Sequence, residues 1–476
     1  MFSRLRFVRQ STYPSLRYAT GTFLQTQSSV GTMQSTHEMN SSKDHKMARC
    51  YQRSRRRNIA RNANNPVPIT VDVMAQPPRV RRTEDHQDRN KPLEHDWAVH
   101  DPIGGASHYF GSNGSFMSYI ASSSQYTDVA QRPIRIHIGA QPNCRPHIGN
   151  LVTFTTAFVL ASSIQKLFPS RKVEVVFTFV DSAPAVGGAR EIGGIKYQVS
   201  LGRTGAADKM GQSFETFLQS ISTLTKIPVQ IYDQSFWRSN PHFPSVMKKI
   251  ASNYGKLSPL LRDKLVIRAP CPVAGCGLTD KHGINNNYTT PGTIQFTCPI
   301  HGAHHVDLSA TSDLQRLEFN TPMRNLVRVI LMGMDETADW IQCTAGDYAG
   351  FYMEQLLHRP LRVLTEHEGP VPYILYAPLV QDWSGAKLSK SLYVKHGAYD
   401  YLIQMARGYM LDSDLFMAMD HGLEGLVSLV GDWVREPFRL FRPYSVDYIH
   451  CELQKRGMRN RPSISEGFGK GSNLVK

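Results

Sequence analysis

Residues 134–167, IRIHIGAQPNCRPHIGNLVTFTTAFVLASSIQKL, read as a strand, a proline-interrupted loop and a helix. IRIHIGA has the β-branched density of a strand, and the helical pattern runs over 148–167. Downstream, VEVVFTFV over 173–180 is a continuous apolar run suited to a central parallel strand covered on both faces. A helix is expected over 208–226, then the short strand VQIY, then a helix near 244–254. After a break, helical periodicity returns over 313–331, followed by the strand WIQCT, a helix over 347–358 and the strand PYILYA. Strands alternating with helices, joined by connections long enough for right-handed crossovers, predict an α/β fold with a doubly wound parallel sheet.

Composition bounds the rest. The chain has 476 residues, 41% hydrophobic and 20% charged, which suits a globular protein and excludes a wholly disordered one. Lys and Arg number 54 against 39 Asp and Glu, a balance that favours polyanionic partners such as RNA. Residues 1–100 hold 17 basic and 8 acidic residues, so much of the excess lies there and the globular part is only mildly basic. Residues 1–130 lack any sustained period, and 104–124 is dominated by Gly and Ser, so a mostly disordered basic extension is expected. Its first 37 residues hold Arg4, Arg6, Arg9 and Arg17 and no acid before Glu38, a composition of mitochondrial transit peptides, so the expected location is mitochondrial or cytoplasmic. No stretch reads as the roughly 18 consecutive apolar residues of a spanning helix, so no membrane partner is expected.

The expected organisation is an extension over 1–130, two halves of a nucleotide-binding domain over 131–268 and 308–400, an insertion over 269–307, and a short helical tail over 401–476. Helices are plausible in that tail over 397–410 and 415–434. It offers no pattern for a complete second domain.

Two loops carry the chemistry. QPNCRPHIGN, 141–150, lies between a strand and a helix, so His147 and the first helical amides face the crevice where open α/β sheets bind nucleotides. A helix N-terminus offers unpaired N–H donors to phosphate, and Gly149 allows close approach to the backbone. GAKLSKS, 385–391, supplies Lys387 and Lys390 as charges and Ser389 and Ser391 as hydroxyls, a cationic clamp suited to a triphosphate.

HIGN followed far downstream by KLSKS resembles the signatures of class I aminoacyl-tRNA synthetases, and with the cysteine-rich insertion it is most similar to the class I type of lysyl-tRNA synthetase. The resemblance covers about 131–400. It implies a Rossmann-like nucleotide-binding domain of the HUP type, with ATP, Mg²⁺, an amino acid (lysine for this type) and tRNA as substrates and partners. His147 and Asn150 would contact the ATP phosphates, and Lys387 and Lys390 the departing pyrophosphate. Gly346 and Asp347 resemble the Gly-x-Asp region that touches ATP or amino acid in that family, although an Asp there is equally a helix cap. Asp181, at a strand end, would bind the substrate ammonium group, although a strand-terminal Asp is as often a turn former. The sequence departs from the lysyl pattern at Cys144, where glycine is usual, and at Leu388 and the second lysine of KLSKS. The alternatives are a paralogue that transfers an activated amino acid or adenylyl group to another acceptor, and an inactive RNA-binding protein on the same fold.

CPVAGCG and CPIHGAHH pair ligands four and three apart across a 21-residue connector, a spacing that suits a tetrahedral Zn²⁺ site of Cys271, Cys276, Cys298 and His301, with His304 or His305 as substitutes for the last. The segment has no apolar period of its own, so a structural metal would hold it together. Seven cysteines in a chain this long are too few and too uneven for a disulfide framework.

Overall fold

The computed structural model describes residues 131–459 apart from 186, 262–264, 350–359, 365–371, 390–396, 437–438 and 441. The extension over 1–130, Lys390, Ser391 and most of the helix expected over 347–358 lie outside these residues.

In chain order, β1 (Ile134–Ala140) leads into α1 (Ile148–Leu167), β2 (Val173–Phe179), α2 (Ala206–Thr225) and β3 (Val229–Tyr232). Then come α3 (Phe243–Ser252), α4 (Tyr254–Leu260), a hairpin of β4 (Thr293–Cys298) and β5 (Gly302–Asp307), and α5 (Thr321–Gly333). The sheet resumes with β6 (Asp339–Ala345) and β7 (Tyr373–Ala377), and α6 (Gly422–Arg435) and α7 (Val446–Lys455) follow.

Five strands form one parallel sheet in the order β7-β6-β1-β2-β3. Ile134 lies opposite Val173 on one side and Asp339 on the other, and Ile341 lies opposite Tyr373. The chain therefore leaves β1 toward β2 and β3 and returns on its far side with β6. That reversal makes the carboxyl ends of β1 and β6 a topological switch point, the place where an open α/β sheet leaves a crevice.

Both faces of the sheet are covered, so the winding is double as expected. On one face Ile134, Ile136, Ile138, Val175 and Phe177 pack with residues of α1, α2 and α6. On the other, Val176, Trp340, Ile374 and Tyr376 pack with α3 and α5. Each fully buried Ile, Val or Phe in these layers contributes roughly 1.5–3 kcal/mol relative to exposure.

Three expectations are corrected. The helix expected over 313–331 is three elements: a short helix over Thr311–Leu314, the extended pair Glu318–Phe319, which pairs antiparallel with Ile267–Arg268, and α5, which starts afresh where the Asn320 side chain accepts from the Met323 amide. The tail helices are interrupted because Ala406 and His421 have left-handed backbone, at φ 56° and 55°, which stops a right-handed helix. Finally, α1 is long and apolar enough to cross a membrane by length and composition, contrary to the reading above. Most of it is buried between the sheet and its neighbouring helices, which is what an all-round apolar helix does in a protein core.

Candidate functional site

The loop after β1 ends in a capped helix. His147 is the N-cap of α1: its Nδ1 accepts from the Gly149 amide at 3.1 Å, while the Asn150 side-chain oxygen accepts from the His147 amide at 3.2 Å. With Nδ1 accepting, a neutral His147 carries its proton on Nε2. The His147 ring gives Gly149 a further reason beside the close ligand approach expected of it. A Cβ there would stand 2.9 Å from His147 Cε1 and 3.0 Å from Nδ1, so glycine is needed for the imidazole to fold over the helix end. Asn150, expected on the phosphates, commits its side-chain oxygen to the cap. Cys144 sits partly buried in this loop with its thiol toward the Arg145 carbonyl at 3.0 Å. Arg145 pairs with Asp412 at 2.8 Å and Asp414 at 3.0 Å, so a segment 267 residues downstream holds the loop in place. These contacts, the hydrogen bond to Asp412 first, raise its pKa.

The second loop closes on the first. Val380 Cβ would lie 3.6 Å from a Cβ on Gly149, and the Leu388 amide donates to the Val380 carbonyl at 2.9 Å, with Leu388 buried in the α1-side core. Gln381 bridges to Lys387. Asp382 organises the turn between them: one carboxylate oxygen accepts from the Ser384 amide (2.9 Å), the Ser384 hydroxyl (2.6 Å) and the Ala386 amide (3.3 Å), and the other accepts from the Tyr399 hydroxyl (3.2 Å). Burial opposes ionisation of Asp382, but these bonds outweigh it and hold the carboxyl below its ordinary pKa. The Ser389 amide donates to the same Tyr399 oxygen at 2.9 Å.

Lys387 leaves this turn to meet the end of β6. Its ammonium is 2.5 Å from Asp347 and 5.9 Å from the Tyr348 ring centroid. Gly346 and Asp347 therefore sit in a 3-10 turn beside the switch point, with Asp347 paired to Lys387 rather than capping its own turn. His147, Gly149, Asn150, Gly346, Asp347, Lys387 and Ser389 thus all lie on the two loops and one turn at this end of the sheet.

Asp181 stands a short distance along the same edge, after β2. Burial raises its pKa against the opposing pull of Arg238, whose guanidinium is 3.9 Å away, and its Oδ1 is buried with no hydrogen-bond partner among the described residues. Beside it a narrow cleft is bounded by Ser182, Gln234, Trp237, Glu318, Arg324 and Arg328, with Arg238 at its side. Arg328 donates to Gln234 at 3.2 Å, and Gln234 donates to the Phe179 carbonyl. The Ser200 hydroxyl donates to one Glu318 oxygen at 2.6 Å, while Glu318 Oε2 and Trp237 Nε1 are buried with no hydrogen-bond partner among the described residues. Burial raises the Glu318 pKa, and Arg268 opposes the rise. Next to the cleft, burial and then Arg328 lower the His137 pKa well below its ordinary value, so a neutral imidazole bridges Gln342 (2.7 Å) and Thr178 (2.8 Å).

The cysteine-rich segment brings its four expected ligands together. Cys271 Sγ is 3.4 Å from His301 Nδ1, Cys276 Sγ is 3.7 Å from Cys298 Sγ, and Cys298 Sγ is 3.6 Å from His301 Nδ1, with all four ligand atoms within 4.8 Å of one another. A tetrahedron with Zn–S near 2.3 Å and Zn–N near 2.05 Å has donor–donor edges of about 3.5–3.8 Å, so the cluster fits that ion. Burial opposes ionisation of Cys298, but the Ile300 and His301 amides favour its thiolate and lower its pKa to about 7, whereas burial and the neighbouring thiols push Cys271 up to about 11. His304 turns away, with Nε2 3.2 Å from the Ala269 carbonyl.

Sequence reasoning missed Asp382, Arg145 and the cleft arginines. Asp382 had a local signal, an Asp three residues before a glycine in DWSG, which is a turn pattern. Arg145 and the arginines of α5 had none, because their partners are remote in the chain.

No family model matches this sequence, and no curated protein matches it. Among solved structures, the chain is similar to one from Campylobacter jejuni provisionally named an arginyl-tRNA synthetase, at 10% identity and a TM-score of 0.23, covering 68% of this chain and 85% of that one. It is also similar to a glutamate tRNA ligase from Elizabethkingia meningosepticum in complex with its amino acid, at 13% identity and a TM-score of 0.26, covering 56% and 53%. A glutamate-tRNA synthetase from Elizabethkingia anophelis gives 10%, 0.25, 56% and 54%. The chain thus spans about half the length of the two glutamate enzymes.

Proposed function

We propose that this chain is an ATP-dependent ligase of the class I aminoacyl-tRNA synthetase type, forming an aminoacyl-adenylate and passing the acyl group to tRNA. One observation carries the reading. The two segments that resemble the class I signatures, with Gly149 and Leu388 239 positions apart in the chain, meet through Gly149, Val380 and Leu388 at the topological switch point.

The chemistry asks for alignment and charge cancellation. The amino-acid carboxylate, ionised at neutral pH, attacks the α-phosphorus; an O–P bond forms, the bond to the β-phosphate oxygen breaks, and pyrophosphate leaves with its electron pair. No general base is needed. His147 Nε2–H, the NH₂ of Asn150 and the α1 N-terminus would donate to phosphate oxygens, and Lys387, joined by Lys390, would neutralise the leaving pyrophosphate. In this scheme Asp347 holds Lys387 over the crevice until the triphosphate competes for it. Mg²⁺ would supply further charge neutralisation on the triphosphate. The Cys271, Cys276, Cys298 and His301 set would hold a structural Zn²⁺.

The resemblance implies lysine as the amino acid, and the Asp181 carboxylate after β2 would pair with its ammonium group. An acidic amino acid is the second reading, favoured by Arg238, Arg324 and Arg328 around the same cleft. Exchange of pyrophosphate into ATP, run against all twenty amino acids with and without tRNA, tests the proposal. Amino-acid-dependent exchange with tRNA charging is expected. Exchange without charging would indicate another acceptor, and no exchange with any amino acid would leave an RNA-binding protein.

A further inference from the structure

A groove of about 590 Å³ lies between α4 and the insertion, away from the two signature loops, lined by Tyr254, Gly255, Ile284, Asn285, Asn287 and Tyr288. We propose that it binds a single-stranded segment of RNA, with one unpaired base stacked on the tyrosine pair and the flanking phosphates on the lysines of α3, α4 and the turn after Asp280. The proposal rests on the synthetase reading only for naming RNA as the polyanion.

The groove has a rigid aromatic wall. Tyr254 and Tyr288 stack at 3.8 Å with 15° between their planes, and each ring is held at its hydroxyl: Tyr254 donates to the Leu265 carbonyl at 2.5 Å, and the Asn286 amide donates to Tyr288 at 3.0 Å. An aromatic stack held in place is a platform that another flat ring can extend. At the lip, Ile284 is 62% exposed and Asn285 and Asn287 are exposed, so an apolar edge and amide groups stand where a base and its edge would lie. Gly283 shapes this turn, since φ is +65° and a Cβ would stand 2.8 Å from the Asn286 amide nitrogen.

The exposed charge on α3, α4 and the turn after Asp280 is positive. Of the eight Lys and Arg in 234–306, Arg238 borders the other cleft, Arg268 is buried and Arg262 and Lys264 lie outside the described residues, which leaves Lys248, Lys249, Lys256 and Lys281; the carboxylates there are Asp263 and Asp280, and the exposed Asp307 ends β5. Asp263 lies outside the described residues. Asp280 is buried, and its oxygens accept from the amides of His282 and Gly283 at 2.9 Å and of Asn285 at 3.1 Å, so its carboxylate is turned into the turn and not out to solvent. Lys248, Lys249 and Lys256 are exposed on α3 and α4, and Lys281 and His282 begin the turn. A cationic rim around a stacking platform selects single strands over duplexes, because a duplex hides the ring faces of its bases.

The test uses the full chain and short single-stranded oligoribonucleotides carrying 2-aminopurine, with a blunt RNA duplex of matching sequence as competitor. Quenching of 2-aminopurine is expected on binding, with the duplex competing at least about tenfold more weakly. The double variant Lys256→Glu with Lys281→Glu should weaken binding by about tenfold and flatten the salt dependence by about one ion per lysine. Asn285→Ala should weaken it less, and Tyr254→Leu should abolish the quenching. A residual, unquenched affinity in that last variant would come from other basic segments, the Arg-rich N-terminal extension among them. Unchanged affinity and quenching in the double variant, or equal competition by the duplex, overturns the proposal. Amino-acid-dependent exchange of pyrophosphate into ATP, measured on the same variants, separates the two readings: normal exchange with unaltered binding refutes the groove alone, and altered binding without exchange in any form refutes the ligase alone.

Discussion

Replacing Asp382 should separate the Lys387 turn from its support. Its carboxylate accepts four hydrogen bonds, from the Ser384 amide and hydroxyl, the Ala386 amide and the Tyr399 hydroxyl. A hydrogen bond to a charged group contributes about 1.5–3 kcal/mol, and water can reach some of the donors left behind, so Asp382→Ala is expected to cost about 2–4 kcal/mol of stability. Asp382→Asn keeps an acceptor for the Ser384 and Ala386 amides and loses the charge, at a cost of about 1 kcal/mol. The pH dependence has a definite sign. Because the folded state lowers the Asp382 pKa, its contribution is fully present above the unfolded value, about 3.9, and is lost as pH falls through the folded pKa. Denaturant unfolding of wild type and both variants at neutral and acidic pH measures this, and the difference between wild type and Asp382→Ala should shrink in acid. In the exchange assay both variants should raise the KM for ATP and lower kcat, Ala more than Asn. Equal stability of all three proteins at neutral pH, or an Asp382→Ala enzyme with unaltered exchange, would refute the role given to this carboxylate.

Other outcomes follow from the same geometry. Lys387→Ala should lower exchange by about 100- to 1,000-fold, the cost of removing one preorganised charge-stabilising donor, while circular dichroism and unfolding midpoint stay near wild type. Gly149→Ala places a Cβ within 3.0 Å of the His147 ring, so it should lower exchange more than it lowers stability, and His147→Ala combined with it should show less than additive loss. Chelation should release about one equivalent of zinc, measured by absorption spectroscopy, and open 269–307 to limited proteolysis before the rest of the chain; Cys298→Ala should reproduce that cleavage pattern without chelator.

The sheet was legible where one local signal dominated. The β-branched run of β1 and the helical pattern from Ile148 marked the two elements of the strand-loop-helix unit, and the unbroken apolar run of β2 marked a strand covered on both faces. The Cys and His spacings were legible because metal ligands in tight turns must lie close in sequence. Glu318–Phe319 was hidden for the opposite reason: two residues carry no period, and their pairing with Ile267–Arg268 depends on a segment fifty residues away. The cleft was hidden too, since Arg324 and Arg328 occupy one face of an amphipathic helix, where sequence alone makes them indistinguishable from solvated arginines.

What the tail contributes could be seen only in three dimensions. Leu426, Leu429, Val430 and Trp433 of α6 share one core with α1 and β1, and Trp433 stacks on Tyr444 at 4.3 Å with 3° between the rings. Tyr444 and Ser445 in turn pair in parallel with Val380 and Gln381, the strand from which the Lys387 turn departs. On the other side Asp412 and Asp414 hold Arg145 in the loop that precedes His147. The tail therefore grips both signature loops, one through a backbone ladder and one through an ion pair. The ion pair is half exposed and worth only about 0–1 kcal/mol by itself, whereas the ladder and the buried aromatic stack cannot be lost without opening the core. A perturbation that loosens α6, such as Trp433→Ala, should consequently disturb the lysine turn before the histidine loop. The expected order is a rise in the KM for ATP at a denaturant concentration where 2-aminopurine binding in the distant groove is still intact.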